Sequence, residues 1–239
     1  MNWPDTPLVP GVFLERLHRF GARVRVRNRV EYCHVTNSGR LRELLYPGAT
    51  VALVDHKSRS KSERKTRYSI RLARYRGKWV CIEANVAPKL VQEAWEKGRL
   101  PELRGYDHLR AEVPLDRHTR FDFKAWDSRT GHVAWVEVKC VTLVEKGGRG
   151  FFPDAPSQRA SKHLRELMAL ARKPKTQAWV FFVLQNPWGR SVSPKGDTDP
   201  LFAATLKKAK KAGVGLRVLR TKLDKNRAFL AGAGDLVLG

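Results

Sequence analysis

Apolar and polar positions in the first third of the chain alternate in short runs, the period of a half-buried strand. FGARVRV (20–26), VEYCHV (30–35), ATVALVDH (49–56), TRYSIRLARY (66–75) and KWVCIEA (78–84) are five such runs. Tight connections such as RNR (27–29) and Arg76-Gly77 separate them. Only SGRLRELL (38–45) interrupts the series with helical spacing. Five short strands in this order predict a small β-barrel of oligonucleotide-binding (OB) type over residues 1–84.

From residue 85 the period changes. NVAPKLVQEAWEKG (85–98) has an Asn cap and a closing Gly, the signature of a helix. After a loop-like 99–108 come strand-like pieces at 109–115, 119–126 and 132–144. A helix at 156–172, a strand at 176–184, a helix at 199–212 and a strand at 214–220 follow. Strands first, then helix and strand in turn, predict a mixed sheet flanked by helices over residues 85–239. The expected fold class is therefore α+β or α/β, a small barrel followed by a mixed-sheet domain.

Charge adds a partner to this outline. Lys and Arg number 47 against 23 Asp and Glu, a net charge of +24 that recruits polyanions. DNA or RNA is the expected partner. A membrane is not, because the longest apolar runs are too short for a bilayer and no basic amphipathic helix stands out. Arg40 and the run KSRSKSERKTR (57–67), with Lys57, Arg59, Lys61, Arg64 and Lys65, are expected nucleic-acid contacts. A solvated loop explains that run equally well. Cys33, Cys81 and Cys140 are odd in number and scattered, which argues against a disulfide framework and for a reducing cytoplasm. No secretory signal is expected. The oligomeric state stays open, a homodimer included.

The candidate chemistry lies in HVAWVEVKCVTLV (132–144). Glu137 and Lys139 interrupt an apolar strand two residues apart, so both point to the face of Trp135 and Val141. Unpaired buried charges are costly. The preceding DSRTG (127–131) has turn chemistry, so RFDFKAW (120–126) folds back as the other arm of a hairpin. A turn centred near Arg129 and Thr130 sets Asp122 opposite Glu137. Asp122 and Glu137 on one patch can ligate Mg²⁺ or Mn²⁺, with Lys139 steering water or developing charge. An ordinary salt-bridge cluster would use the same residues. Glu112 can add a third acid, and Arg120 shares the strand face of Asp122. Downstream, a helix with an apolar stripe through Ala160, Leu164, Leu167 and Ala171 carries a polar stripe with Arg159, Lys162, His163 and Glu166. Arg159 and Lys162 suit phosphate, and His163 is equally a phosphate contact or a surface or core histidine. Asp154 is expected to cap that helix. The Gly147–Gly150 stretch lacks the ending of a phosphate-binding loop and is read as a turn.

Four ordered blocks, HVTNSGRLRELLYPG (34–48), RFDF (120–123), VEVKCVTL (136–143) and FPDAPSQRASKHLREL (152–167), resemble the signature blocks of the sugar fermentation stimulation protein family, SfsA. Phe152 stands where members often carry Tyr, and Val35-Thr36 where many carry Cys-Pro. The resemblance implies an N-terminal OB-like domain, a C-terminal domain of the PD-(D/E)xK nuclease fold, and a family assigned as DNA-binding proteins and nucleases. Carried onto this chain, the motif is Asp122, Glu137 and Lys139, with Glu112 as the extra acid. The implied activity is divalent-metal-dependent cleavage of phosphodiester bonds in DNA or RNA. The alternative is a non-catalytic DNA-binding regulator of sugar metabolism with a relict nuclease fold.

Overall fold

A computed structural model describes residues 8–56, 66–224 and 227–238. The N-terminal unit comprises β1 (Val9–His18), β2 (Gly21–Val26), β3 (Arg29–Val35), β4 (Thr50–Asp55), β5 (Tyr68–Tyr75) and β6 (Lys78–Cys81). Its strands run β3-β2-β1-β4-β5-β6, and β3 returns to pair with β5 in parallel, Cys33 with Tyr68 through Val35 with Ile70. That return closes five strands into an OB barrel. In β2, Ala22, Val24 and Val26 point inward while Arg23 and Arg25 face solvent, so strict alternation fixes which side is core. Phe13, Val24, Cys33, Leu53 and Ile70 fill the interior.

The strand content differs from the expectation in one way. β1 was not legible as a strand, yet it completes the barrel, while β6 lies beyond the closure as a hairpin on β5. The expected helix at 38–45 is also absent. Leu41 has φ 52°, a left-handed backbone that ends helical propagation, and only the Leu44 and Leu45 N–H groups bond back to its carbonyl. Leu41, Leu44 and Leu45 still bury their side chains in the barrel core.

The second unit begins with α1 (Val86–Glu96) and a single 3-10 turn at Pro101–Leu103. β7 (His108–Pro114), β8 (Arg120–Trp126), β9 (Val133–Val141), β10 (Arg149–Phe152), α2 (Gln158–Ala171), β11 (Thr176–Leu184), β12 (Ser191–Pro194), α3 (Pro200–Lys211), β13 (Gly215–Asp224) and β14 (Arg227–Leu236) follow. They form a mixed sheet in the order β10-β12-β14-β13-β11-β9-β8-β7. On one face α1 packs Val86, Leu90 and Val91 against Val136, Val138 and Phe181. On the other, α2 and α3 pack Leu164, Leu167, Phe202 and Leu206 against Val180 and Phe182. β9 and β11 pair in parallel between these layers. The expected turn at 147–150 is partly strand, since Arg149 and Gly150 open β10. No helix among the described residues is long and apolar enough to cross a membrane, and all three cysteines are free thiols.

The two units share an apolar contact, in which Ala52, Leu72 and Cys81 join the core under α1, and polar ties. Asp154 does not cap α2; Ser157 does, accepting the Ala160 N–H. Asp154 instead turns to the barrel, where its Oδ2 accepts the Leu41 N–H at 3.3 Å. Gly39 lies directly under that carboxylate: a Cβ there would stand 2.6 Å from Asp154 Oδ1. Gln185 adds a second tie, its Nε2 donating to the carbonyls of Cys81 and Glu83 at 3.1 Å. The close approach predicts that Gly39→Ala destabilises the chain by about 1–3 kcal/mol, measured by thermal unfolding. Asp154→Ala in the same chain should restore part of the loss; an unchanged melting temperature in Gly39→Ala would contradict the contact.

Candidate active site

β8 and β9 are the arms of one hairpin, with Phe123 paired to Val136, Lys124 to Trp135, Ala125 to Ala134 and Trp126 to Val133. One step further in the same register sets Asp122 across from Glu137. There a side chain enters the ladder: the Val138 N–H donates to Asp122 Oδ2 at 2.6 Å. On the other side of β8, Ala111 pairs with Phe123 and Val113 with Phe121, which puts Glu112 level with Asp122. Glu112 has φ 54°, a costly backbone for a non-glycine residue inside a strand. Its side chain is exposed and lies 3.5 Å from Arg120 Nη1.

Glu137 is buried, with only 7% of its side chain exposed. Its Oε1 accepts from Lys139 Nζ at 2.6 Å and lies 2.8 Å from His163 Nδ1. Among the described residues Nδ1 has no other polar partner. Across the ring, Arg159 Nε donates to His163 Nε2 over 3.4 Å, which assigns the ring proton to Nδ1, toward Glu137. Phe121 packs on both His163 and Trp135, with ring centroids 5.4 and 5.7 Å away.

These surroundings set the two acids apart. Burial pushes Glu137 upward, but Lys139 and His163 outweigh it and hold the carboxyl below its ordinary range. For Asp122, burial first and the Glu137 charge second raise the pKa to about 7, against the pull of the Val138 N–H and Lys139. Glu112 pushes Asp122 the same way. One acid is thus charged at neutral pH while its neighbour is poised between states.

Lys139 and Arg159 line a cleft of about 530 Å³ between the barrel and the second domain, together with Arg19, Asn37 and Asp154. Arg40 belongs to an adjoining concavity on the barrel side. Of the expected phosphate stripe on α2, Arg159 is exposed and Lys162 is partly exposed and paired with Glu166 at 3.5 Å. His163 is 2% exposed, so it supports Glu137 instead of facing solvent. Lys57, Arg59, Lys61, Arg64 and Lys65 lie outside the described residues. Arg19, on the cleft wall, carried no sequence signal beyond its charge at a strand turn.

Among the described residues no group of three or more His, Cys, Asp or Glu forms a ready metal cage. The patch nonetheless offers two carboxylates on one face, hard oxygen donors suited to Mg²⁺ or Mn²⁺. Burial is the main cause of the upward push on Asp122, and the Glu137 and Glu112 charges add to it, a repulsion that a shared cation would relieve. Asp122 and Glu137 therefore fit a divalent cation, with Glu112 at the rim.

The raised Asp122 also sets a pH dependence. Its proton is held more tightly in the folded chain than in the unfolded one, so ionisation destabilises the fold, and stability falls as pH rises from about 4 to about 7. Asp122→Asn, which keeps an oxygen for the Val138 N–H, should gain on the order of 1–2 kcal/mol at pH 8 in metal-free buffer. Near pH 4 the gain should vanish. Denaturant melts at both pH values measure this, and a variant less stable at pH 8 would refute the assignment.

Known proteins match along the whole chain. The family described as SfsA N-terminal OB domain matches residues 14–82, and the Sugar fermentation stimulation protein RE domain matches residues 85–227. A sugar fermentation stimulation protein homolog of Acetivibrio thermocellus is 41% identical over 218 residues, covering 91% of this chain and 90% of that relative. One from Methanobrevibacter smithii is 36% identical over 220 residues, covering 89% and 90%. The solved structure of Pyrococcus furiosus SfsA in complex with Ca²⁺ has a TM-score of 0.87 at 31% identity, covering 99% of each chain. On matched domains, relatives and fold, the chain belongs to the sugar fermentation stimulation protein (SfsA) family.

Proposed function

We propose that this protein is a divalent-metal-dependent nuclease of the cytoplasm that binds DNA or RNA and cleaves its phosphodiester bonds. The observation that carries the reading is the placement of Asp122 across from Glu137 on a sheet face, with Lys139 Nζ on Glu137 and a cleft beside them. Asp122 and Glu137 would hold Mg²⁺ or Mn²⁺; the Pyrococcus furiosus relative is described with Ca²⁺. Once bound, the metal supplies Lewis acidity and a water of lowered pKa. The chain supplies the rest. Lys139, lining the cleft, offsets negative charge developing on the phosphate. Arg159, on the same wall, binds a neighbouring phosphate and orients His163. His163 in turn keeps Glu137 ionised. The net charge of +24 draws a polyanion toward acids that alone would repel it. Free thiols throughout suit a reducing cytoplasm.

A second reading, a DNA-binding regulator without catalysis, draws on one observation: Glu137 Oε1 is already engaged by the Lys139 ammonium and lies 2.8 Å from His163 Nδ1. Labelled single- and double-stranded DNA and RNA, incubated with Mg²⁺, Mn²⁺ or EDTA, separate the two. The nuclease requires divalent-dependent cleavage that Asp122→Ala and Lys139→Ala each reduce by about 10²-fold or more while binding survives. Cleavage unchanged in both variants would sink the assignment, and binding without cleavage in every condition would establish the regulator.

A further inference from the structure

We infer that the barrel carries a binding platform for a single-stranded polynucleotide, built from the rings of His18, Phe20 and Tyr32 beside Arg19, Arg40 and Arg42. The platform rests on the nuclease reading only for where the strand leads, into the cleft of Lys139. Phe20 is 46% and Tyr32 45% exposed, in a chain whose other large rings are mostly buried or half-buried. Both belong to the β1–β2–β3 end of the barrel. His18 and Tyr32 lie with ring centroids 6.2 Å apart and Nε2 2.8 Å from Oη, and Phe20 sits 6.3 Å from His34.

This arrangement is built into the backbone. The His18–Tyr32 pair closes over Gly21, where a Cβ would stand 2.6 Å from Tyr32 Oη and collide with His18 Nε2. Gly21 lacks a positive φ, so no turn demands it, and its missing Cβ leaves room for the two ring ends to meet. Next to them is a concavity of about 480 Å³ lined by Arg16, His18, Arg19, Arg40 and Arg42, with no carboxylate in its wall. Arg16 is committed to scaffolding, donating to the carbonyls of Arg19, Asn37 and Arg40. Among the described residues Arg19, Arg40 and Arg42 make no ion pair, which leaves their charge for phosphate.

Continuity supplies the direction. Arg19, Ser38, Gly39, Ala155 and Pro156 line both this concavity and the cleft that holds Lys139 and Arg159. Exposed rings beside cations are the chemistry of single-strand binding, because only unpaired bases offer a face for stacking. A duplex can meet the arginines but not the rings. DNA and RNA strands share both features.

The test is fluorescence anisotropy of the full chain, in EDTA, with a labelled single-stranded DNA, the RNA of the same sequence, and the DNA duplex. Phe20→Ala and Tyr32→Ala should each weaken the preferred single strand about tenfold and the duplex less than about twofold. Tyr32→Phe, which keeps the ring, should bind like the parent chain. Arg40→Ala with Arg42→Ala should weaken strand and duplex alike and flatten the salt dependence. The tighter of the DNA and RNA arms names the polynucleotide. Ring variants that bind the strand within about twofold of the parent, or lose strand and duplex equally, overturn the platform. Because EDTA separates binding from cleavage, a chain that binds as expected yet never cleaves would overturn the nuclease and leave the platform standing.

Discussion

A carboxylate cannot stay ionised inside an apolar sheet without compensation, and Glu137 is the point where this chain meets that constraint. It lies on β9 between α2 and the sheet, and it draws in Lys139 from its own strand and His163 from the helix. His163 in turn engages Arg159, and Phe121 packs the ring in place. The charge requirement of one side chain therefore fixes how the first turns of α2 sit on β8 and β9. Asp122, opposite, receives no such pair of partners, and burial with the Glu137 charge pushes it up to about 7. A cation bound between the two acids would use that asymmetry, with one acid already charged and one that ionises as positive charge arrives.

The same logic reaches the barrel. The peptide bearing Asp154 leads into α2, and its carboxylate sits against Gly39 and accepts the Leu41 N–H. Burial lowers Arg16 even though Asp154 opposes the shift, and Arg16 clamps the loop that carries Asn37 and Arg40. The cleft is thus walled by both domains, with Lys139 and Arg159 on one side and Arg19 and Asn37 on the other. Substrate recognition and chemistry would occupy a single continuous surface.

Much of this was legible in local pattern. Alternation placed β2, β3, β4 and β5, and a turn at 127–131 with period-two strands gave the register that brings Asp122 to Glu137. The features that escaped the sequence are those set by distant partners. β1, VPGVFLERLH, contains Pro and Gly and lacks clean alternation; pairing with β2 and β4 on either side makes it a strand. β10 and β12 are four-residue strands that exist through parallel pairing with each other and with β14. LRELL has helical spacing, but a contact 113 residues away holds the Leu41 N–H and φ turns positive. For His163 helical periodicity left phosphate contact and a core place equally open, because it does not reveal that a buried acid waits on the facing strand.

The proposed chemistry stands on Asp122 and Glu137 together forming one divalent-cation site. Calorimetric titration of Mn²⁺ into the full chain tests it most directly. One ion per chain is expected, with proton release on binding near pH 7 and loss of binding in both Asp122→Asn and Glu137→Gln. Mn²⁺ binding that persists unchanged in either variant, or no binding at all, would contradict it.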